Sequence, residues 1–394
     1  MGRWLAFVLG ITATVLPTRA VVAQEAVVEP IVVGELRKFD SSTLGEERRI
    51  SVWLPPGYGD ADASFPVLYM TDAEWNYLQA VGLVDYLGRW ARIPEMIVVA
   101  VHNTERGRDL TPSVDPNFIG TGGAEGFLAF FERELIPWVD EKYRTTDQRL
   151  LWGHSFGGVF TFYALTQKPE LFDIYMSAGA SLWLTNDWIL QRMEELVARE
   201  PGLEAFLYFT AGEGDGGPTE PSNRRMADWL EDNAPAGLEW HYTKTPQENH
   251  FTNVPITLQH GLQTAYPIWG MDHALYEAAS EASVEGVASW LAARQEALGD
   301  RFVMPEFEIV VVGFQFLQAG QFEVALAIFD VVAERFPRSG YPLDGKGLVY
   351  EAMGDLPAAA EWFERALRMG MENDEQDFML NRYRQHLERA QASD

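Results

Sequence analysis

A serine acts as a nucleophile at neutral pH when a base takes its proton and the backbone holds its hydroxyl clear of its surroundings. Gly153-His154-Ser155-Phe156-Gly157 has the composition for the second condition. It follows the apolar run Leu150-Leu151-Trp152 and leads into the apolar residues 159–165, a pattern that predicts a strand, a sharp turn at Ser155 and a helix. Glycines 153 and 157 let strand and helix approach closely, and the first helical N–H, that of Phe156, is aimed where a developing oxyanion would sit.

The base and the acid that orients it are sought in the chain order serine, acid, histidine. Of the seven histidines, His102 and His154 precede any late acid, and His154 fills the variable position of the serine motif itself. His241 falls in a strand pattern, His260 and His273 in helical patterns, and His386 near the C-terminus. His250 falls in a loop, residues 246–252, just past the last strand pattern, where an imidazole can reach back to Ser155. An acid is expected directly after the strand of residues 205–210, in Ala211-Gly212-Glu213-Gly214-Asp215-Gly216-Gly217. Asp215 is the assignment and Glu213 the alternative. These two acids lack the ligand run and the distant closing glutamate of a calcium loop, so no metal is expected, and the chemistry needs no cofactor. A second oxyanion N–H is expected after the strand of residues 65–70, from Ala73 or Glu74.

The elements that must position these groups follow from periodicity. Residues 31–39 and 48–54 alternate as an antiparallel edge hairpin. Buried-type strands at 65–70, 96–101, 174–177, 205–210 and 238–243 alternate with helical patterns at 75–90, 125–143, 187–198 and 223–233. Strands and helices in alternation predict an α/β fold with a mostly parallel, doubly wound sheet. The polar loop 102–112 carries Arg106 and Arg108, which either contact an acidic or catecholate substrate or, one or both, pair with Glu105 or Asp109. Trp183 is a candidate wall for an acyl or aromatic subsite.

Composition bounds the rest. The 394 residues suggest two domains, and 47% hydrophobic content supplies a large core. A formal net charge of -28 argues against nucleic-acid binding and against adsorption to anionic lipid. The chain has no cysteine, which excludes disulfides, thiol catalysis and cysteine-ligated metal. Residues 1–23 read as a secretory signal, with Arg3, an apolar run over 4–16 and small residues before Ala23, so the expected location is periplasmic or secreted. That run is short for a bilayer span, and no membrane span is expected after cleavage.

Beyond residue 269 the periodicity is wholly helical. Gly313, Phe316, Gly320, Ala325, Phe329 and Val332 return 34 positions later as Gly347, Tyr350, Gly354, Ala359, Phe363 and Ala366. That period matches the tetratricopeptide repeat, with Pro337 closing the first unit and residues 376–392 as a capping helix. The repeats either pack as an appendage or offer a groove to a protein partner.

Taken together these motifs resemble the esterase family of α/β-hydrolases that includes feruloyl and acetylxylan esterases, S-formylglutathione hydrolases and ferric-siderophore esterases. The likeness is greatest to the siderophore-esterase-like branch. It rests on residues 66–72, 104–112 and 153–158, on Ser181-Leu182-Trp183, on 212–215 and on Glu248-Asn249-His250-Phe251, and it spans about residues 36–266. The resemblance implies Ser155 as nucleophile, His250 as base and Asp215 as acid. The expected organisation is a signal at 1–23, a linker at 24–35, an α/β-hydrolase domain at 36–269, a helical connection at 270–304 and a tetratricopeptide-like domain at 305–394. The expected function is hydrolysis of a small-molecule or glycan-linked carboxylic ester through an acyl-enzyme. The alternatives are acyl transfer by the same triad, or a tetratricopeptide scaffold with a vestigial hydrolase domain.

Overall fold

The computed structural model describes residues 31–59, 64–90, 92–267, 271–298 and 306–392. The expected signal and most of the expected linker lie outside the described residues.

The chain opens with the hairpin β1 (Glu35–Ser41) and β2 (Glu46–Trp53), turned at Gly45, where φ is 69°. There follow β3 (Phe65–Met70), α1 (Ala73–Arg89), β4 (Ile97–Val101) and the short α2 (Arg106–Leu110). Next come α3 (Ala124–Phe130), α4 (Ile136–Lys142), β5 (Thr145–His154) and α5 (Phe156–Gln167). The sheet is completed by β6 (Ile174–Ala178), α6 (Trp188–Arg199), β7 (Ala205–Gly212), α7 (Thr219–Asn233), β8 (Leu238–Thr245) and α8 (Asn253–Ala265). Eight strands form one sheet in the order β1-β2-β4-β3-β5-β6-β7-β8. β2 runs antiparallel to both neighbours, and every other pair after it is parallel.

Side chains of β3 alternate between the two faces, as a period of two requires. Val67 and Tyr69 join Val99, Leu151 and Phe160 in the core under α3, α5, α6 and α7. Leu68 and Met70 join Val98, Trp152 and Met176 in the core under α1 and α8. Both faces are covered, which is why the central strands read as unbroken apolar runs. Pro66 lies where the β3–β5 register shifts between Phe65 and Val67, a place where a strand tolerates a missing N–H.

The single helix expected over 125–143 is broken. A π-helical turn, Phe131–Leu135, separates α3 from α4. Pro137 stands in the first turn of α4 and has no N–H to give the carbonyl of Arg133, so the turn before it absorbs the misfit.

Six helices follow: α9 (Met271–Leu298), α10 (Glu306–Gln318), α11 (Phe322–Arg335), α12 (Tyr341–Met353), α13 (Leu356–Glu372) and α14 (Asp377–Ala392). α9 is one 28-residue helix within the stretch expected as a connection. α11 and α13 start 34 residues apart, and each packs an aromatic ring on a glycine of the preceding helix. A Cβ on Gly313 would lie 2.6 Å from the Phe329 ring, and one on Gly347 would strike Phe363 in the same way. Gly320 and Gly354 turn the chain with φ of 74° and 83°. The region fits paired tetratricopeptide-like helices.

Candidate active site

β5 delivers the chain to Ser155, whose φ of 59° and ψ of -112° lie where a residue with a Cβ is strained by roughly 1–3 kcal/mol. The surrounding backbone holds it there. The N–H of Ser155 donates to the Ala178 carbonyl (2.9 Å), and the N–H of Ser181 donates to the Ser155 carbonyl (3.3 Å). A Cβ on Gly153 would strike the backbone of Gly157, and one on Gly157 would strike Thr71 Oγ1. The glycines flanking the serine are therefore what lets β5, α5 and the end of β3 meet.

The contact between Gly157 and Thr71-Asp72 brings the first turn of α5 beside the start of α1. The N–H groups of Phe156, Ala73 and Glu74 stand in the first turns of these helices, where no intrahelical acceptor exists. Ala73 is buried, and the carboxylate of Glu74 is taken by the side-chain amide of Asn103 (2.6 Å).

The acid and the histidine come from loops tied to each other. Glu213 N–H donates to the Thr245 carbonyl (2.9 Å) and Gly214 N–H to the Glu248 carbonyl (2.8 Å), so the loops after β7 and β8 run side by side. Asp215 is fully buried at its side chain, accepts from Gly212 N–H at Oδ2 (2.9 Å), and places Oδ1 3.3 Å from Nδ1 of His250. That Oδ1 has no aligned hydrogen bond among the described residues. Gly179, with φ of 50°, leaves room for the pair, since a Cβ there would stand 3.2 Å from both Asp215 Oδ2 and His250 Nδ1. Glu213 points elsewhere and accepts from the exposed N–H of Gln247 (3.0 Å).

Ser155 and His250 line one cavity of about 540 Å³ together with Trp75, Arg106, His154 and Phe251. The Ser155 hydroxyl lies 3.3 Å from that of Ser181, a buried residue that order in the chain gave no reason to single out as a hydroxyl partner. His154, set aside on sequence order, lies against His250: its Nε2 is 2.8 Å from the His250 carbonyl and the ring centroids are 4.6 Å apart. Burial, then the neighbouring His250, pushes its pKa down to about 4.

The two arginines divide. Arg106 forms a bidentate pair with the buried Asp72 (2.7 and 3.0 Å), donates to the His154 carbonyl (3.2 Å), and lies over the rings of Trp75 and Phe156. Arg108 is absent from the cavity lining. It is bound to Glu46 (2.7 Å) and Asp109 (2.7 Å), in a cluster with the fully buried Arg48, and this pairing holds the Glu46 carboxyl down at about 2. The two side chains stand two positions apart on α2, about 200° round the helix, and the acids of β2 and α2 capture the second. Trp183 does not line the serine cavity; its indole N–H donates to Thr219 (3.3 Å) and its ring packs on Phe118. Phe118 in turn packs on Phe156 and lines a second cavity of about 440 Å³ that shares Arg106 with the first.

A mostly parallel eight-stranded sheet with a sharp serine turn between β5 and α5 defines the α/β-hydrolase class. The chain belongs to the Esterase family, whose model, described as "Putative esterase", matches residues 41–253. It is 24% identical over 251 residues to the ferri-bacillibactin esterase BesA of Bacillus subtilis, covering 57% of this chain and 87% of that one. It is 34% identical over 202 residues to the siderophore enterobactin esterase of Emericella nidulans, covering 41% of this chain and 67% of that one. The crystal structure of an IroE-like serine hydrolase from Shewanella oneidensis superposes with a TM-score of 0.62 at 27% identity, over 77% of this chain and 99% of that one. The fold and the siderophore-esterase-like likeness expected from the motifs are thus borne out, and the chain is a carboxylic ester hydrolase.

Proposed function

We propose that the chain is an exported serine esterase in which Ser155, His250 and Asp215 form the catalytic triad. The observation that carries this reading is the buried Asp215 carboxylate 3.3 Å from Nδ1 of His250, with the imidazole sharing a cavity with the strained Ser155. His250 takes the proton of Ser155 as Oγ bonds to the ester carbonyl carbon, and the carbonyl electron pair moves onto oxygen. The N–H of Phe156 and that of Ala73 or Glu74 receive this oxyanion. As the carbonyl reforms, the C–O bond to the alcohol breaks and His250 returns the proton to the leaving oxygen. Water then repeats the sequence on the acyl-enzyme. Asp215 fixes the imidazole with its proton on Nδ1 and stabilises the imidazolium.

The substrate is proposed to be a bulky ester of the siderophore kind, as the names of the relatives suggest. Two adjoining cavities on either side of Arg106 suit a substrate with more than one large group. Arg106 is the substrate-facing cation of this reading, and Arg108 has no part in it. Export rests on the signal-like pattern of residues 1–23, and among the described residues no helix is long and apolar enough to cross a membrane.

The test is hydrolysis of p-nitrophenyl acetate, longer acyl esters, a ferulate ester and a catecholate trilactone by the wild type and by Ser155→Ala. Loss of turnover by a factor of about 10³ or more, with an unchanged melting temperature and no fluorophosphonate adduct, is expected. Retained activity in S155A would remove Ser155 from the mechanism.

A further inference from the structure

We propose that His154 is the positioning residue for the base: its imidazole anchors the main-chain carbonyl of His250 and so sets the His250 ring against the serine that directly follows His154 in the chain. The proposal rests on the triad reading above and adds a group that chain order had excluded.

The loop bearing His250 is fastened on one flank to the loop of Asp215, through Glu248 and Gln247. Its tip is closed on itself, with Asn249 Oδ1 accepting from the N–H groups of Phe251 (2.9 Å) and Thr252 (3.2 Å). The bond of 2.8 Å from His154 to the His250 carbonyl fastens the other flank to the end of β5. A carbonyl only accepts, so Nε2 of His154 must carry the hydrogen. The neutral ring with its proton on Nε2 satisfies the bond without placing a second cation beside an imidazole that must become charged in turnover.

His154 is itself held at both ends. Its carbonyl accepts from Arg106 (3.2 Å), and Arg106 is gripped by Asp72, which also accepts from Asn103 (2.7 Å). The residue is 7% exposed, and its ring lies 4.6 Å, centroid to centroid, from that of His250. The groups facing the two rings are therefore Asp215 from the β7 loop, Arg106 from α2 and Asp72 from the turn before α1. Because one peptide bond joins His154 to Ser155, the hydrogen bond ties the base to the nucleophile through the shortest covalent route the chain allows. Displacing a reacting group by 1 Å costs about 10²-fold in rate, so the anchor acts on kcat.

The experiment compares full-length wild type, H154Q, H154F and H154N. The glutamine amide nitrogen stands the same number of bonds from Cα as Nε2 of histidine and can donate to the same carbonyl. Phenylalanine keeps a ring without a donor, and asparagine has a donor one bond too short. The expected result is a fall in kcat of about 10- to 100-fold in H154F and H154N with KM within about twofold, and recovery in H154Q to within about threefold of wild type. The rate of fluorophosphonate labelling at Ser155 should follow kcat. Wild-type labelling with undiminished kcat in a folded H154F or H154N overturns the positioning role alone, as does an H154Q no better than H154N. A wild type that neither labels at Ser155 nor hydrolyses any ester overturns the triad reading, and the proposal with it.

Discussion

Glu213 and Asp215 stand two positions apart in one glycine-rich loop, and local sequence treats them alike. Burial separates them. The Asp215 side chain is sealed beneath the loop against His250, whereas Glu213 lies at the surface and caps an N–H of the neighbouring loop. A carboxylate stabilises an imidazolium strongly where solvent does not screen it. D215N is therefore expected to lower kcat by about 10²- to 10⁴-fold, and E213Q by less than about threefold, in steady-state hydrolysis. His154 gives a second prediction at this scale. Its folded pKa of about 4 lies below its ordinary value of 6.5, so its neutral form favours the folded state. That contribution is whole above pH 6.5 and is lost as pH falls towards 4, by about 3 kcal/mol for this one group. Urea unfolding at pH 7 and pH 4 should show the wild type losing about that much more than H154Q. The lowered carboxyls of Glu46 and Glu134, both near 2, contribute stability that is lost as pH falls from 4.5 towards 2, in wild type and H154Q alike.

Elements hold the site through close approaches that side chains would forbid. β5 and α5 meet at Gly153 and Gly157, and α10 and α12 receive aromatic rings at Gly313 and Gly347. The first pair was legible from the spacing around Ser155, the second from a recurrence 34 residues apart. A branched side chain at Gly347 must displace Phe363, which is buried and seated with Ala359 and Ala390. G347V is expected to destabilise the helical region by about 1–3 kcal/mol, the range for overpacking, while fluorophosphonate labelling of Ser155 stays within about twofold of wild type. Calorimetry with parallel labelling measures both. The break between α3 and α4 had one local sign, Pro137, set within a run whose apolar spacing reads as one helix; the extra residue of the π-turn before it is a backbone adjustment that the spacing of 125–143 does not show.

Across the molecule, the buried clusters that hold the sheet end at Tyr266, and those of the helices begin at Leu275. A ring contact of 6.0 Å between Trp90, at the C-terminal end of α1, and Phe307 joins that end to α10. The proposed catalytic groups sit at the C-terminal ends of β5, β7 and β8, where parallel strands open into loops. The net charge of -28 is spread over both parts and is answered locally, as in the Glu46–Arg108–Asp109–Arg48 cluster.

By itself the sequence determined the sheet and its covering helices, the turn that presents Ser155, the period of the repeats, and a short choice of histidines and acids. These are local properties: apolar periodicity, glycine at sharp turns, and order along the chain. Only the tertiary structure decided which acid faces His250, that Arg108 is taken by Glu46 and Asp109, and that His154 and Ser181 adjoin His250 and Ser155. Apart from the neighbouring Asp109, each of those is a contact between segments far apart in sequence. Whether a charged or polar group meets solvent or a partner depends on what the fold brings over it, and no spacing within one segment carries that information.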